Sequence, residues 1–299
     1  MSRSLTSLRR MRSPRTIITA VAVAIALVIV LPASAVAVAH AVAAPPANPT
    51  SADQIQNIDQ VKTAIKAYYG DTLTSTLDPV NGTVALHTFS PTGAYAKEMA
   101  RLEDGAMKYL DHAAKKGGPK PKPQPKPKPK PKGAPNSNAG TPAILLDVDD
   151  TTLNTYNYEI YSNFVYNPAQ NAVFVNGALF PAVPGMPALV AHAVSKGYQV
   201  FYLTGRPEAQ RPGTTTNLTN AGYPTPAANH LYLKDQVNQP WLSSCSPTCT
   251  TIQYKSLTRQ HIESLGFDIV ANFGDQYSDL TGGFADKTFK VPNPMYYLP

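Results

Sequence analysis

From residue 141 onward, short apolar runs alternate with amphipathic stretches. This alternation predicts an α/β domain built on a parallel sheet. Residues 143–146 are uninterrupted apolar and read as a buried first strand. Met186, Leu189, Val190, Ala193 and Val194 follow helical spacing up to Gly197, and 199–203 form a second apolar run. A short third strand is expected at 231–233. Tyr254, Leu257, Ile262 and Leu265 lie on another helix stopped by Gly266. A fourth strand is expected at 269–273 and a fifth at 288–291. Residues 153–184 are aromatic and Asn-rich without a clear period, and read as an insertion after the first strand that could partly cover a site. Upstream, Ser51-Ala52-Asp53-Gln54 fits a capping box, with Ile55, Ile58, Val61, Ile65 and Tyr69 on the following helix. Tyr95, Met99, Leu102, Ala106, Tyr109 and Ala113 mark a second helix. These two helices have no core of their own and are expected to pack on the α/β domain.

Two stretches depart from this pattern. Five arginines precede residue 43, and an apolar run from Ile17 to Leu31 leads to small-residue sites at Ala33-Ser34-Ala35 and Ala41-Val42-Ala43. That is the layout of a secretory signal peptide over residues 1–43, with Arg9-Arg10 as a twin-arginine hint. The competing reading is a retained anchor, since Ile17 to Ala39 could span a bilayer despite Pro32. Residues 44–116 then form the helical segment. Residues 117–140 form a linker whose 119–132 stretch is almost pure Pro-Lys. It suits an extended polyproline II spacer reaching about 40 Å. A sharper reading is electrostatic attachment to an anionic cell surface. It expects salt-sensitive retention that is lost when 119–132 is deleted.

These stretches also account for the net charge of +7. Without the five N-terminal arginines and the eight lysines between Lys115 and Lys132, 13 basic residues remain against 19 acids. The folded part is acidic, so no nucleic-acid binding is expected of it. Only Cys245 and Cys249 could form a disulfide, and in an exported chain one small bridge is expected. Two cysteines without nearby Cys or His partners do not make a zinc site.

The chemistry lies at the strand ends. The first run closes in Asp147-Val148-Asp149-Asp150-Thr151, the second in Thr204-Gly205-Arg206, and the fourth in Gly274-Asp275-Gln276-Tyr277-Ser278-Asp279. Ligands of open α/β sheets bind outside the carboxyl ends of the strands. Carboxylates packed there repel one another unless a cation joins them. They make a hard oxygen cage suited to Mg²⁺. Near the start of its helix Lys255 opposes the helix dipole, and a bound anion would rationalise it. Taken singly, each piece has a plainer reading: an acidic capping turn, a helix cap at Thr204, a solvated lysine.

The ordered set Asp-x-Asp-x-Thr, Leu-Thr-Gly-Arg, Lys, Gly-Asp-x-x-x-Asp resembles the haloacid dehalogenase (HAD) superfamily of phosphatases. The stretches 269–280 and 289–297 are similar to the secreted HAD-type acid phosphatases, which include class B acid phosphatases and plant vegetative storage proteins. The resemblance implies a HAD-like Rossmannoid parallel sheet with helices on both faces over 141–299. It also implies a Mg²⁺-dependent acid phosphatase acting on small phosphomonoesters. By the same resemblance Asp147 would be the nucleophile and a Mg²⁺ ligand. Asp149 would be the general acid/base, with its backbone carbonyl on the metal. Thr204, Gly205 and Lys255 would hold phosphate, Asp275 would ligate Mg²⁺, and Asp279 would ligate it through water or steady Lys255. Asp150 is given no chemistry. The alternatives are phosphotransfer through the same aspartyl-phosphate and a non-catalytic surface or storage protein retaining the fold. Tyr156, Tyr158, Tyr161, Phe164, Tyr166 and Phe174 could stack on a leaving group or form a packed cover.

Overall fold

In the computed structural model, residues 51, 57–115 and 140–298 are described. The signal-like stretch, the Ser51 capping box and the Pro-Lys stretch lie wholly or largely outside these residues. No helix among the described residues is long and apolar enough to cross a membrane.

Five strands form one parallel sheet: β3 (Thr141–Leu146), β4 (Gln199–Pro207), β5 (Leu231–Lys234), β6 (Phe267–Gly274) and β7 (Lys287–Lys290), in the order β5-β4-β3-β6-β7. Alternate side chains of β3 enter opposite cores, as period-2 geometry requires. Ile144 and Leu146 join a cluster with Met99, Leu110, Leu189 and Tyr202. Ala143 and Leu145 join Phe201, Leu203, Tyr254 and Ile262. Helices α2 (Ala94–Lys115) and α5 (Met186–Ser195) cover the first face, and α7 (Thr251–Ser264) covers the second. This is the HAD-like α/β architecture expected from the sequence.

Register then sets up the site. Leu146 pairs with Tyr202 on one side and with Phe273 on the other. The residues that follow these three, Asp147, Leu203-Thr204 and Gly274-Asp275, therefore emerge side by side. Strand order reverses between β3 and β6, so the acids sit at the sheet's topological switch point.

Before the sheet, α1 (Ile58–Tyr69) is capped by the Asn57 side chain, which accepts from the Asp59 and Gln60 amides. Tyr69 of α1 and Tyr95 and Met99 of α2 are fully buried in the same cluster as the first-face residues of β3. Between the two helices lies a hairpin that sequence patterning does not show, β1 (Thr72–Leu77) with β2 (Ala85–Thr88). Five of the six β1 residues are exposed, so it has no apolar alternation to read. Its turn is held by the Asp78 carboxylate, which accepts the amides of Val80, Asn81, Thr83 and Val84. The insertion after β3 contains α3 (Tyr156–Tyr161) and α4 (Pro168–Asn176). Helix α6 (Arg211–Asn220) follows β4; its Thr-rich face carries little apolar signal. Cys245 and Cys249 are disulfide-bonded.

Candidate active site at the sheet's switch point

The Asp147 amide continues the ladder by donating to Phe273 O at 3.0 Å, so Asp147 is still held by the sheet. Its carboxylate receives the Lys255 ammonium, which also donates to Leu203 O at 2.7 Å and pairs with Asp279 at 2.9 Å. A reciprocal cap between Thr250 and Gln253 starts α7 and fixes where Lys255 emerges. Burial alone would pull the Lys255 pKa down, yet the Asp147 and Asp279 charges hold it above its ordinary value. Asp279 reaches back from α8 (Tyr277–Leu280), accepting the Gln276 amide at 3.0 Å. Gly274 makes room for it: a Cβ there would lie 2.4 Å from Asp279 Cβ.

Asp147, Asp275 and Asp279 present carboxylate oxygens within 4.8 Å of one another, all buried. Among the described residues one lysine, Lys255, forms ion pairs with this cluster, through Asp147 and Asp279. Burial, then Asp279, push the Asp147 carboxyl up against the pull of Lys255. Burial, then Asp279 and Asp150, push Asp275 to about 8. An all-oxygen donor set with surplus negative charge fits a hard divalent cation.

The other expected site residues fall around this cluster. Thr204 is fully buried, and its hydroxyl accepts the Arg206 amide at 3.1 Å. Its carbonyl accepts the Tyr254 hydroxyl at 3.0 Å. Gly205 is exposed, and a Cβ there would meet nothing within 4 Å. The Asp149 carboxylate lies outside the three-acid cluster and is held by Arg206, with contacts at 2.7, 3.0 and 3.2 Å.

Three contributors escape the sequence reading. Arg206 belongs to the quoted motif, but its pairing with Asp149 could not be read from spacing. Glu159, in the first turn of α3, is buried and pushed to about 7 by burial and by Asp149. Asn293, beyond β7, donates to Asp275 Oδ2 at 2.7 Å. Asp150 adopts φ +52° and is fully buried. Its carboxylate accepts from the Thr155 amide and hydroxyl and from the Tyr296 hydroxyl, so it ties the loop together. The insertion's aromatics divide. Tyr156, Tyr158 and Phe174 are fully buried, with Tyr156 stacked on Tyr69 at 4.5 Å. Tyr166 is 66% exposed, within the electrostatic reach of Asp149 and Arg206.

A switch-point acid cluster of this kind, flanked by a buried lysine and a Thr-Gly turn, defines a HAD-like α/β fold with its site at the strand ends. The particular family follows from residues 92–299, which match the model for the HAD superfamily, subfamily IIIB (Acid phosphatase); the chain belongs to that family. Among curated proteins it is 35% identical over 163 residues to Acid phosphatase 1 of Solanum lycopersicum, covering 53% of this chain and 60% of that one. It is 32% identical to the Stem 28 kDa glycoprotein of Glycine max, covering 52% and 59%. It is 29% identical to Vegetative storage protein 2 of Arabidopsis thaliana, covering 52% and 56%. The match thus spans a little under three fifths to three fifths of these relatives' lengths. The class C acid phosphatase from Bacillus anthracis shares the fold, with a TM-score of 0.52 and 24% identity over 69% of this chain and 80% of that one.

Proposed function

We propose that this chain is a secreted, Mg²⁺-dependent acid phosphatase that hydrolyses small phosphate monoesters through an aspartyl-phosphate. The observation that carries the reading is the buried triad Asp147, Asp275 and Asp279 with Lys255 bridging two of its members. Family membership supports the reaction class. Residues 1–43 would be the export signal and 117–140 the linker, as the sequence suggests.

In this reading a divalent cation held by the three carboxylates, with the Asp149 carbonyl, would offset their charge and polarise a phosphoryl oxygen. The protein's own groups do the rest. Asp147 attacks phosphorus and becomes the phosphorylated residue. Lys255, the Thr204 hydroxyl and the Gly205 amide hold the phosphoryl oxygens and stabilise the charge that develops on them. Asp149 protonates the leaving alcohol, then takes a proton from the water that cleaves the aspartyl-phosphate. Tyr166 offers an exposed ring within electrostatic reach of Asp149 for an apolar leaving group. Retention of all the acids argues against a non-catalytic storage role.

Phosphate release from a panel of monoesters, with and without Mg²⁺, tests the reading. Asp147→Asn should lose several orders of magnitude in turnover. A wild type that hydrolyses nothing, or an unimpaired variant, would sink it. Trapping phosphate on Asp147 separates the covalent route from direct attack by water.

A further inference from the structure

Asp275 differs from the other two acids in its partners. Lys255 pairs with Asp147 and Asp279, and no ion pair joins Asp275 among the described residues. Its Oδ2 instead accepts two neutral amide donors, Asn293 Nδ2 at 2.7 Å and Gln276 Nε2 at 2.6 Å. Its Oδ1 has only the Thr151 hydroxyl, at 3.3 Å. Two donors on one oxygen fix the carboxylate's rotation and direct the other oxygen into the cluster. Neutral donors do this without cancelling the charge that a cation needs.

Asn293 is itself held. Its Oδ1 accepts the Met295 amide at 2.8 Å, which leaves Nδ2 as the group facing Asp275. The segment around it has no regular structure, yet it is fastened to the strand ends at several points. The Val291 amide donates to Gly274 O at 2.9 Å, and the Leu298 amide donates to Gln276 Oε1 at 2.9 Å. The Ser278 hydroxyl donates to Leu298 O at 3.2 Å. The Tyr296 hydroxyl donates to Asp150 Oδ2 at 2.8 Å, which reaches the loop after β3. Val291 and Met295 are buried in the first-face core. The segment therefore spans the ends of both strands that carry the acids.

We propose that Asn293 is a positioning residue for the cation site, acting through Asp275, and that the C-terminal segment 291–298 is the support that presents it. Partners of this kind orient a metal-ligating group, and removing one costs roughly 10–100-fold in metal affinity. The inference rests on the phosphatase reading only in requiring that the three acids bind a divalent cation.

Calorimetric titration of Mg²⁺ into the metal-stripped full chain tests it without recourse to turnover. Asn293→Ala should weaken affinity roughly 10–100-fold. Asn293→Ser keeps an acceptor for the Met295 amide but cannot reach Asp275, and should show the same loss. Tyr296→Phe loosens one fastening of the segment but leaves the Asn293 amide in place, so it should cost less affinity than either Asn293 variant. Thermal unfolding of each metal-free variant checks that it is folded. Asn293 variants that bind Mg²⁺ like the wild type overturn the proposal. So does a loss in Tyr296→Phe equal to that of the Asn293 variants, because the Asn293 amide would then not be the group that orients Asp275. A wild type that does not bind Mg²⁺ removes the cation site itself, a failure visible in the first titration.

Discussion

Asp147 and Asp149 stand two residues apart and occupy opposite kinds of surroundings. The Asp147 side chain is 10% exposed, lies against Lys255 and shares its space with two further acids. The Asp149 side chain is 29% exposed and meets a single guanidinium. Between them, Val148 is fully buried and anchors the turn. Asp147 remains hydrogen-bonded to β6, whereas Asp149 lies where the chain leaves the sheet, just before Asp150 at φ +52°. One strand end thus produces an enclosed acid that needs compensating charge and a rim acid that water can still reach. An attacking group gains from enclosure, because fixed charges act strongly there. A group that exchanges protons with water gains from the rim.

Removing the cation from the enclosed side should have the largest effect on stability. Lys255→Met takes the ion-pair cation from Asp147 and Asp279, and breaking a buried pair in this way costs about 3–5 kcal/mol. The Asp147 carboxyl, already pushed up by burial and by Asp279, loses the pull of Lys255 and is pushed up further. Its contribution to stability is then present at low pH and lost as pH rises. The deficit should be deepest above neutrality and shrink toward pH 4, as read by urea unfolding without metal. A deficit that is flat across pH would mean that the acids are not enclosed.

Glu103 extends the comparison to a carboxyl that is buried with no ion pair among the described residues. It is 6% exposed on α2, and its Oε1 has no hydrogen-bond partner. It lies against Gly185, where a Cβ would come within 1.8 Å of Glu103 Oε2. Burial raises it from 4.5 to about 7. The stability it contributes is therefore present below its unfolded value and lost as pH rises through about 7. Glu103→Gln removes that loss. The variant should match wild type near pH 4 and exceed it by about 2 kcal/mol above neutrality. Thermal melts across pH check this, and equal melting temperatures at pH 8 would contradict it.

The enclosed side is far more legible in the sequence than the rim. Buried parallel strands are nearly continuous apolar runs, so 143–146 and 269–273 show themselves. The acids at the ends of such runs mark Asp147 and Asp275, and the ordered motif adds Lys255, which taken alone reads as a solvated lysine. The rim offers no such signal. Glu159 lies in a stretch with no period, and nothing local marks it as facing Asp149. The Asn293 contact joins residues 18 apart, and Asn293 lies in the irregular segment beyond β7, where periodicity is silent. The β1–β2 hairpin and α6 escape because their faces are Thr-rich or exposed, although Asn81-Gly82 is a turn signal. Burial sorts the aromatic residues of the insertion in a way composition could not: Tyr156, Tyr158 and Phe174 form the cover, and Tyr166 is left outside.

The smallest effect should come from the rim pair, and its size decides whether the division between the two acids is real. Arg206 bonds Asp149 and donates to Thr214 Oγ1 at 3.0 Å, with its guanidinium 5.4 Å from the Phe180 ring centre. Arg206→Met keeps much of the apolar packing and removes the charge. Asp149 can then turn to water, because its side chain is partly exposed, and only the Thr214 hydroxyl is left without its donor. Partly solvated pairs contribute little, so the loss should be about 1 kcal/mol. It should also vary little with pH in the range where Lys255→Met varies most. If Arg206→Met instead costs as much as Lys255→Met, Asp149 is enclosed in solution as Asp147 is, and the separation of an enclosed interior from a rim that water reaches fails.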